Sequence, residues 1–321
     1  MSDRENWIDW TKAILIWLMV LGHARLNGIL LDFVYAFHMP AFFVISGYLY
    51  KPHNFIHTIK SFGIPIIFFS SINLLIVLMN MYRVGEPIVF PSILSRIIPP
   101  FYKNACADDI TLFRGVWFVV VLFLMRLLMG DLPWLSSTYK NIKWITILLI
   151  IYVTIEPYLL SRYAIYFQQY YCYKVICCLP FMMIGIIIKK HKKNKILSLS
   201  VFPLCILLIV FITISLWNGY TDIWKYHFGK NYIFFYVTAL SASIILFNLC
   251  RKLKSNQIIT TLSEGTLLTL GLHTPIIRVC NKIYESIEVA PSCLISSLIV
   301  MIISYCLTRL ILKYCPIVIG K

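Results

Sequence analysis

Charge is scarce in this chain: Asp, Glu, Lys and Arg make up only 13% of its 321 residues, and only 13 residues are acidic. A soluble domain carries about twice that fraction, and a disordered segment or a nucleic-acid-binding module needs a far more polar chain. The glycine patterns of nucleotide-binding loops are missing, as are the GxSxG elbow of serine hydrolases and the HExxH helix of zinc proteases. Those reactions therefore have no local support, and no tetrahedral set of metal ligands is apparent. No cysteine pair has CxxC spacing. The ten cysteines fall mostly inside apolar runs and read as small hydrophobes, not as a redox or disulfide framework. Nothing resembles a cleaved signal peptide, so the first apolar run is expected to stay in the membrane. No internal repeat is visible, which weighs against an inverted-repeat transporter.

What is present is hydrophobic mass. At 60% of the chain, about 193 positions are apolar, enough for nine or ten helices at ~20 residues per span. The expected fold class is an all-α polytopic membrane protein, one membrane domain over residues 1–321. Its ten transmembrane helices are expected near 10–28, 33–50, 62–82, 116–130, 144–160, 172–188, 199–217, 232–250, 258–279 and 292–315. The net charge is +16, and its distribution sets the orientation. With both termini cytoplasmic, 18 of the 29 Lys and Arg residues fall on the cytoplasmic side, including the run Lys189, Lys190, Lys192, Lys193 and Lys195 and the later Arg251, Lys252 and Lys254. Two outer connections are long enough to contribute to a site, residues 83–115 and 218–231.

Ionisable side chains inside hydrocarbon are costly and mark function by default. In the first span Lys12 and His23 stand 11 residues apart, three turns plus ~20°, so they share one helix face about 16 Å apart along the axis. If Lys12 lies at the cytoplasmic interface, His23 reaches the middle of the membrane, where a well open to the cytoplasm would explain both. A snorkelling lysine and a packing histidine explain them equally. His38 precedes Met39-Pro40 in the second span, and Ser46-Gly47 permits close approach of a ligand or, more commonly, of another helix. With Asn27–Asp32 read as the connection, His23 and His38 should sit at similar depth and could face each other across the hairpin. His273 precedes Thr274-Pro275 in span nine. Three histidines within apolar runs are hard to assign to packing alone, and neutral imidazole is suited to taking a proton from an alcohol.

At these residues the chain resembles the acyltransferase-3 family of integral membrane O-acyltransferases, whose first helix carries a basic residue, ten intervening positions and a histidine. Here that is Lys12-x10-His23. The segments IDWTKAILIWLMVLGH and YAFHMPAFFVISGYLY look most like its fucose 4-O-acetylase-like branch, with further likeness at Gly115-Val116-Trp117-Phe118 and at LSEGTLLTLGLH ending in His273. The likeness covers about residues 4–312. It implies transfer of an acyl group, usually acetyl, from cytoplasmic acyl-CoA to a hydroxyl of a carbohydrate or lipid-linked glycan of the cell envelope, in a bacterial inner membrane, with no tightly bound cofactor. It also implies His23 as the catalytic histidine and Lys12 as its basic partner, with His38 at a further motif position as a third catalytic candidate and His273 at a motif position on the substrate side. Two departures stand out. Lysine at position 12 offers a point charge where an arginine would offer a planar fork, and the Trp117 segment lacks the glutamate that many larger relatives carry.

In the mechanism these residues suggest, His23 activates the acceptor hydroxyl while Lys12 meets phosphate or pantetheine groups of acetyl-CoA. Arg25, Arg114 and Trp117, together with Ser46, are the candidate substrate contacts, and the partners are acyl-CoA, a glycan acceptor and the lipid bilayer, with no nucleic acid. The competing reading is a non-enzymatic membrane transporter or glycan exporter, since buried polar residues in a helical bundle serve it equally well.

Overall fold

The computed structural model describes residues 5–97, 115–132, 141–167, 171–191, 195–254 and 256–321. Among these the architecture is all-helical, and the only β-type pairing is an isolated bridge between Asp222 and His227. In chain order the helices are α1 (Asn6–His23), α2 (Gly28–Tyr48), α3 (Phe55–Val84), the short α4 (Phe90–Ile97) and α5 (Trp117–Arg126). They continue with α6 (Ile142–Phe167), α7 (Tyr171–Lys190), α8 (Val201–Asn218), α9 (Tyr232–Cys250), α10 (Gln257–Glu264), α11 (Thr266–Ser286) and α12 (Cys293–Tyr314). Each expected apolar segment falls on one of these helices, the ninth being divided between α10 and α11. The break is at Gly265, where any side chain would collide with Thr308 of α12.

Among the described residues five helices, α2, α3, α8, α9 and α12, are both long and apolar enough to cross a membrane. Leu, Ile, Phe and Trp side chains stand exposed along α3, α8 and α12, the surface that lipid rather than water would solvate. The chain is an integral membrane protein. By contrast α1 and α11 interrupt their apolar runs with Asp9, Lys12, His23, His273 and Arg278. α1 and the first half of α11 lie against the rest of the bundle, where polar groups can be satisfied by neighbours.

The tightest packing joins α2 to α7. A Cβ on Gly47 would collide with the Met182 carbonyl and one on Gly185 with the Val44 carbonyl, so the two backbones touch. This gives Ser46-Gly47 its helix-packing reading: Gly47 is the contact, and Ser46 beside it is half-buried.

One end of the bundle is closed by polar networks. The Glu5 carboxylate accepts hydrogen bonds from Trp7 Nε1 and Tyr48 Oη, both at 2.8 Å, and from Lys189 Nζ at 2.6 Å, fastening the starts and ends of α1, α2 and α7 together. Burial pushes this carboxyl up, but those three hydrogen bonds outweigh it and hold its pKa below the ordinary glutamate value. Nearby, the buried Asp131 accepts from Tyr50 Oη (2.8 Å), His53 N (3.1 Å), Thr58 Oγ1 (2.7 Å) and Arg126 Nε (3.1 Å), while Arg126 Nη2 donates to the Lys51 carbonyl at 2.9 Å. The α2–α3 connection is thereby tied to the end of α5. The C-terminal segment returns to the same end, with Lys321 paired to Glu264 at 3.1 Å and Gly320 against the Ser61 carbonyl.

Candidate functional site

At the opposite end, α1 stops at His23, and the chain turns through Ala24–Asn27 with Arg25 at φ +66°. The connection to α2 is therefore shorter than Asn27–Asp32, because Gly28 to Asp32 already form the first turn of α2. That difference moves His38 ten residues into its helix, about 15 Å from its start. His23 and His38 consequently do not face each other, and the ring between them is Tyr35, 6.2 Å from His23 and 5.1 Å from His38 between centroids. Gly22 makes this possible: a Cβ there would lie 2.7 Å from Tyr35 Cε2, so only glycine admits the ring beside His23.

The histidine that does meet His23 comes from α11. The His23 and His273 rings lie 4.9 Å apart at an interplanar angle of 42°. His23 is exposed at its helix end, whereas His273 is 2% exposed. His273 Nδ1 donates to the Leu270 carbonyl at 2.8 Å, which places the proton on Nδ1 and leaves Nε2 beside the Thr274 hydroxyl at 3.2 Å. His38 is held in the same way, its Nδ1 donating to the Val34 carbonyl at 2.7 Å. Both buried imidazoles thus turn Nε2, with its lone pair, away from their own helix backbone.

Gly115 wedges against this pair. It sits at φ +80°, in the left-handed region, with an added Cβ 2.8 Å from the Leu270 carbonyl and 3.6 Å from His273 Cε1. Two residues on, α5 opens with Trp117, whose half-buried indole lies 5.7 Å from that of Trp224. Trp224 belongs to the connection between α8 and α9, which folds back on itself. Asn218 closes its base through bonds to the Phe228 carbonyl (3.0 Å) and from Asn231 N (2.8 Å), and Asp222 and His227 exchange backbone hydrogen bonds. Tyr220 packs on Tyr35 with its ring tilted by 32° at 5.6 Å between centroids, and donates its hydroxyl to Asp222 at 2.9 Å. Burial raises the Asp222 pKa above the ordinary aspartate value, although Tyr220, Lys225 and two backbone amides favour the carboxylate.

Of the sequence-derived candidates, then, His23 and His273 meet directly, and His38 joins them through Tyr35. Trp117 flanks them by way of Gly115. Lys12 stays half-buried on α1, eleven residues before His23, and Arg25 is exposed with its guanidinium 4.0 Å from Glu285 at the end of α11. Ser46 stands on the α2–α7 contact, and Arg114 lies outside the described residues, as does most of the 83–115 connection. Among the described residues no group of three or more His, Cys, Asp and Glu side chains is placed to hold a metal ion. The residues that sequence reasoning passed over are Tyr35, Gly22, Tyr220, Asp222 and Lys174. Lys174 left a signal as a charge within an expected span, and Tyr220 and Asp222 lie in the 218–231 connection that its length had marked.

A family model described as an acyltransferase domain matches residues 5–311. No curated protein and no solved structure matches the chain.

Proposed function

Because the chain belongs to the acyltransferase-3 family, we propose that it is an acyl-CoA-dependent O-acyltransferase of the fucose 4-O-acetylase-like branch, moving an acetyl group to a hydroxyl of a carbohydrate or cell-envelope glycan. It works in a bacterial inner membrane crossed ten times, both termini facing the cytoplasm. The placement of Lys51, Lys189, Lys190, Arg251, Lys252 and Lys254 near the end that holds Glu5 and Lys321 supports this orientation through the positive-inside rule.

The observation that carries the reading is the contact of His23 with His273 at 4.9 Å in a chain that matches an acyltransferase model over nearly its whole length. A hydroxyl is a weak nucleophile at neutral pH and needs a positioned base to attack a thioester. His23, exposed at the mouth of the site, takes the acceptor's proton. The freed oxygen attacks the thioester carbonyl, the carbon–sulfur bond breaks, and the coenzyme leaves as its thiolate, which the proton from His23 neutralises. His273 and Tyr35 hold the His23 ring in place. Lys12, three turns away on the same helix, binds phosphate or pantetheine oxygens of the donor, so the acyl group enters from the inner end and the acceptor from the outer.

The test is incorporation of labelled acetyl from acetyl-CoA into host envelope glycan by membranes expressing the chain or His23→Ala. Transfer coupled one-to-one with free CoA, reduced about 10²-fold or more in the variant at equal expression, is expected. Full activity in His23→Ala overturns the base assignment. Glycan transport without CoA release would establish the exporter instead.

A further inference from the structure

Lys174, the fourth residue of α7, is 0% exposed. Its ammonium donates to the Trp224 carbonyl at 2.7 Å and lies 3.8 Å from the ring centroid of Tyr226, 4.6 Å from that of Trp224 and 5.7 Å from that of Trp117. An ammonium removed from water is costly, and the electron-rich faces of aromatic rings offset part of that cost. The same charge therefore holds three rings from two separate segments, the opening of α5 and the α8–α9 connection. It is placed where Trp117 and Trp224 form a half-buried indole pair next to Gly115, whose position abuts His273.

We propose that the Trp117–Trp224 pair is the floor of the acceptor subsite, which takes the apolar face of a pyranose ring, and that Lys174 is the positioning residue that keeps the two indoles together. This rests on the acyl-acceptor reading above. The C–H bonds on one face of a pyranose match an indole surface, while its hydroxyls need polar partners; pockets of this class combine aromatic walls with a few polar groups. The link to the reacting end is Gly115, two residues before Trp117 and 3.6 Å from His273 Cε1 at its Cβ position, past which a hydroxyl of a ring on the indoles would have to reach the His23–His273 contact. Lys174 itself is fully covered and does not touch the sugar. It acts through Trp224, gripped at both its carbonyl and its ring.

The test compares the wild type with Lys174→Met, which keeps the length of the side chain but not its charge, and with Trp224→Ala, a half-buried position in the α8–α9 connection and outside the helices. The probe is soluble oligosaccharide released from host envelope glycan, and its direct binding to the purified full chain is measured without donor, beside acetyl-CoA binding. Each variant is expected to weaken oligosaccharide binding about tenfold with acetyl-CoA binding within twofold, and the double variant is expected to be no worse than about the weaker single. A purely structural lysine would lower both affinities together. Oligosaccharide affinity that is unchanged in both variants, multiplicative losses in the double variant, or a wild type that binds no oligosaccharide overturns the inference. If the variants lose oligosaccharide affinity as expected while the wild type transfers nothing from acetyl-CoA, the donor assignment fails and the acceptor floor stands.

Discussion

Gly22→Ala separates the needs of the site from those of the helix. The added methyl would come to 2.7 Å from Tyr35 Cε2, whereas ordinary contact begins near 3.4 Å, so the ring has to retreat by about 0.7 Å. Tyr35 has little room to do so, with His38 at 5.1 Å and Tyr220 at 5.6 Å beyond it. Gly22 is the last residue but one of α1, where alanine recovers part of the about 1 kcal/mol it gains over glycine in a helix interior, and a displaced, off-rotamer ring costs about 0.5–1.5 kcal/mol. The two nearly cancel, so Tm in detergent should stay within a few degrees of the wild type. Catalysis has no such compensation. A displacement approaching 1 Å next to the reacting groups costs up to about 10²-fold, and CoA release in the presence of envelope glycan should fall by about 10- to 100-fold. Wild-type turnover in Gly22→Ala would show that the Tyr35 contact does not position His23. A large drop in Tm would refute the cancellation.

Two further outcomes concern residues away from the His23–His273 contact. Lys12→Ala should raise the KM for acetyl-CoA by about tenfold, the value of one hydrogen bond to a charged group, with kcat within about threefold; an unchanged KM would reduce Lys12 to a snorkelling residue. Asp131→Asn leaves the Arg126 guanidinium beside a neutral amide in a largely buried setting, and should destabilise the chain by about 3 kcal/mol, on the order of 6–10 °C in Tm. A Tm within a degree or two of the wild type would mean that the Arg126 bond to the Lys51 carbonyl, with its stacking on Tyr50 at 4.7 Å, suffices alone.

The order of helices was legible because lipid imposes a one-dimensional rule: a segment of the right length and apolarity has to satisfy its backbone internally. The expected span over 232–250 coincides with α9, bounded by the Asn231 cap and by Arg251 where the apolar run ends. The rule weakens where a polar residue can sit in a first helical turn. Asn27, Gly28 and Asp32 look like a connection, yet Gly28–Asp32 is helix, with Ile29 and Leu30 more than half exposed at the rim of the bundle. Hydropathy cannot separate a rim turn from a loop, since both present mixed side chains to the interface.

That small boundary error had a large effect on the site. Placing the hairpin turn at Ala24–Asn27 instead of Asn27–Asp32 carries His38 deeper and brings Tyr35 level with His23, so the partner of His23 is chosen by α11 rather than by the neighbouring helix. Residue types announced that His23, His38 and His273 were unusual, because imidazoles in apolar runs are costly wherever they lie. Which two meet depends on how α11 crosses α1, and that crossing depends on contacts such as Gly271 against Phe69 and Gly265 against Thr308, which no periodicity within one segment encodes. The α8–α9 connection shows the same limit. Its length marked it as able to contribute, but Tyr220 on Tyr35 and Lys174 under Trp224 join residues far apart in the chain. In a membrane bundle, then, composition selects which residues are worth suspecting, and close-approach glycines decide which of them become neighbours. Of the two that border the His23–His273 contact, Gly115 is held at positive φ against the Leu270 carbonyl, so a methyl there strains the backbone itself, whereas Gly22 faces only the Tyr35 side chain and is the position where a single methyl should damage turnover more than it damages the fold.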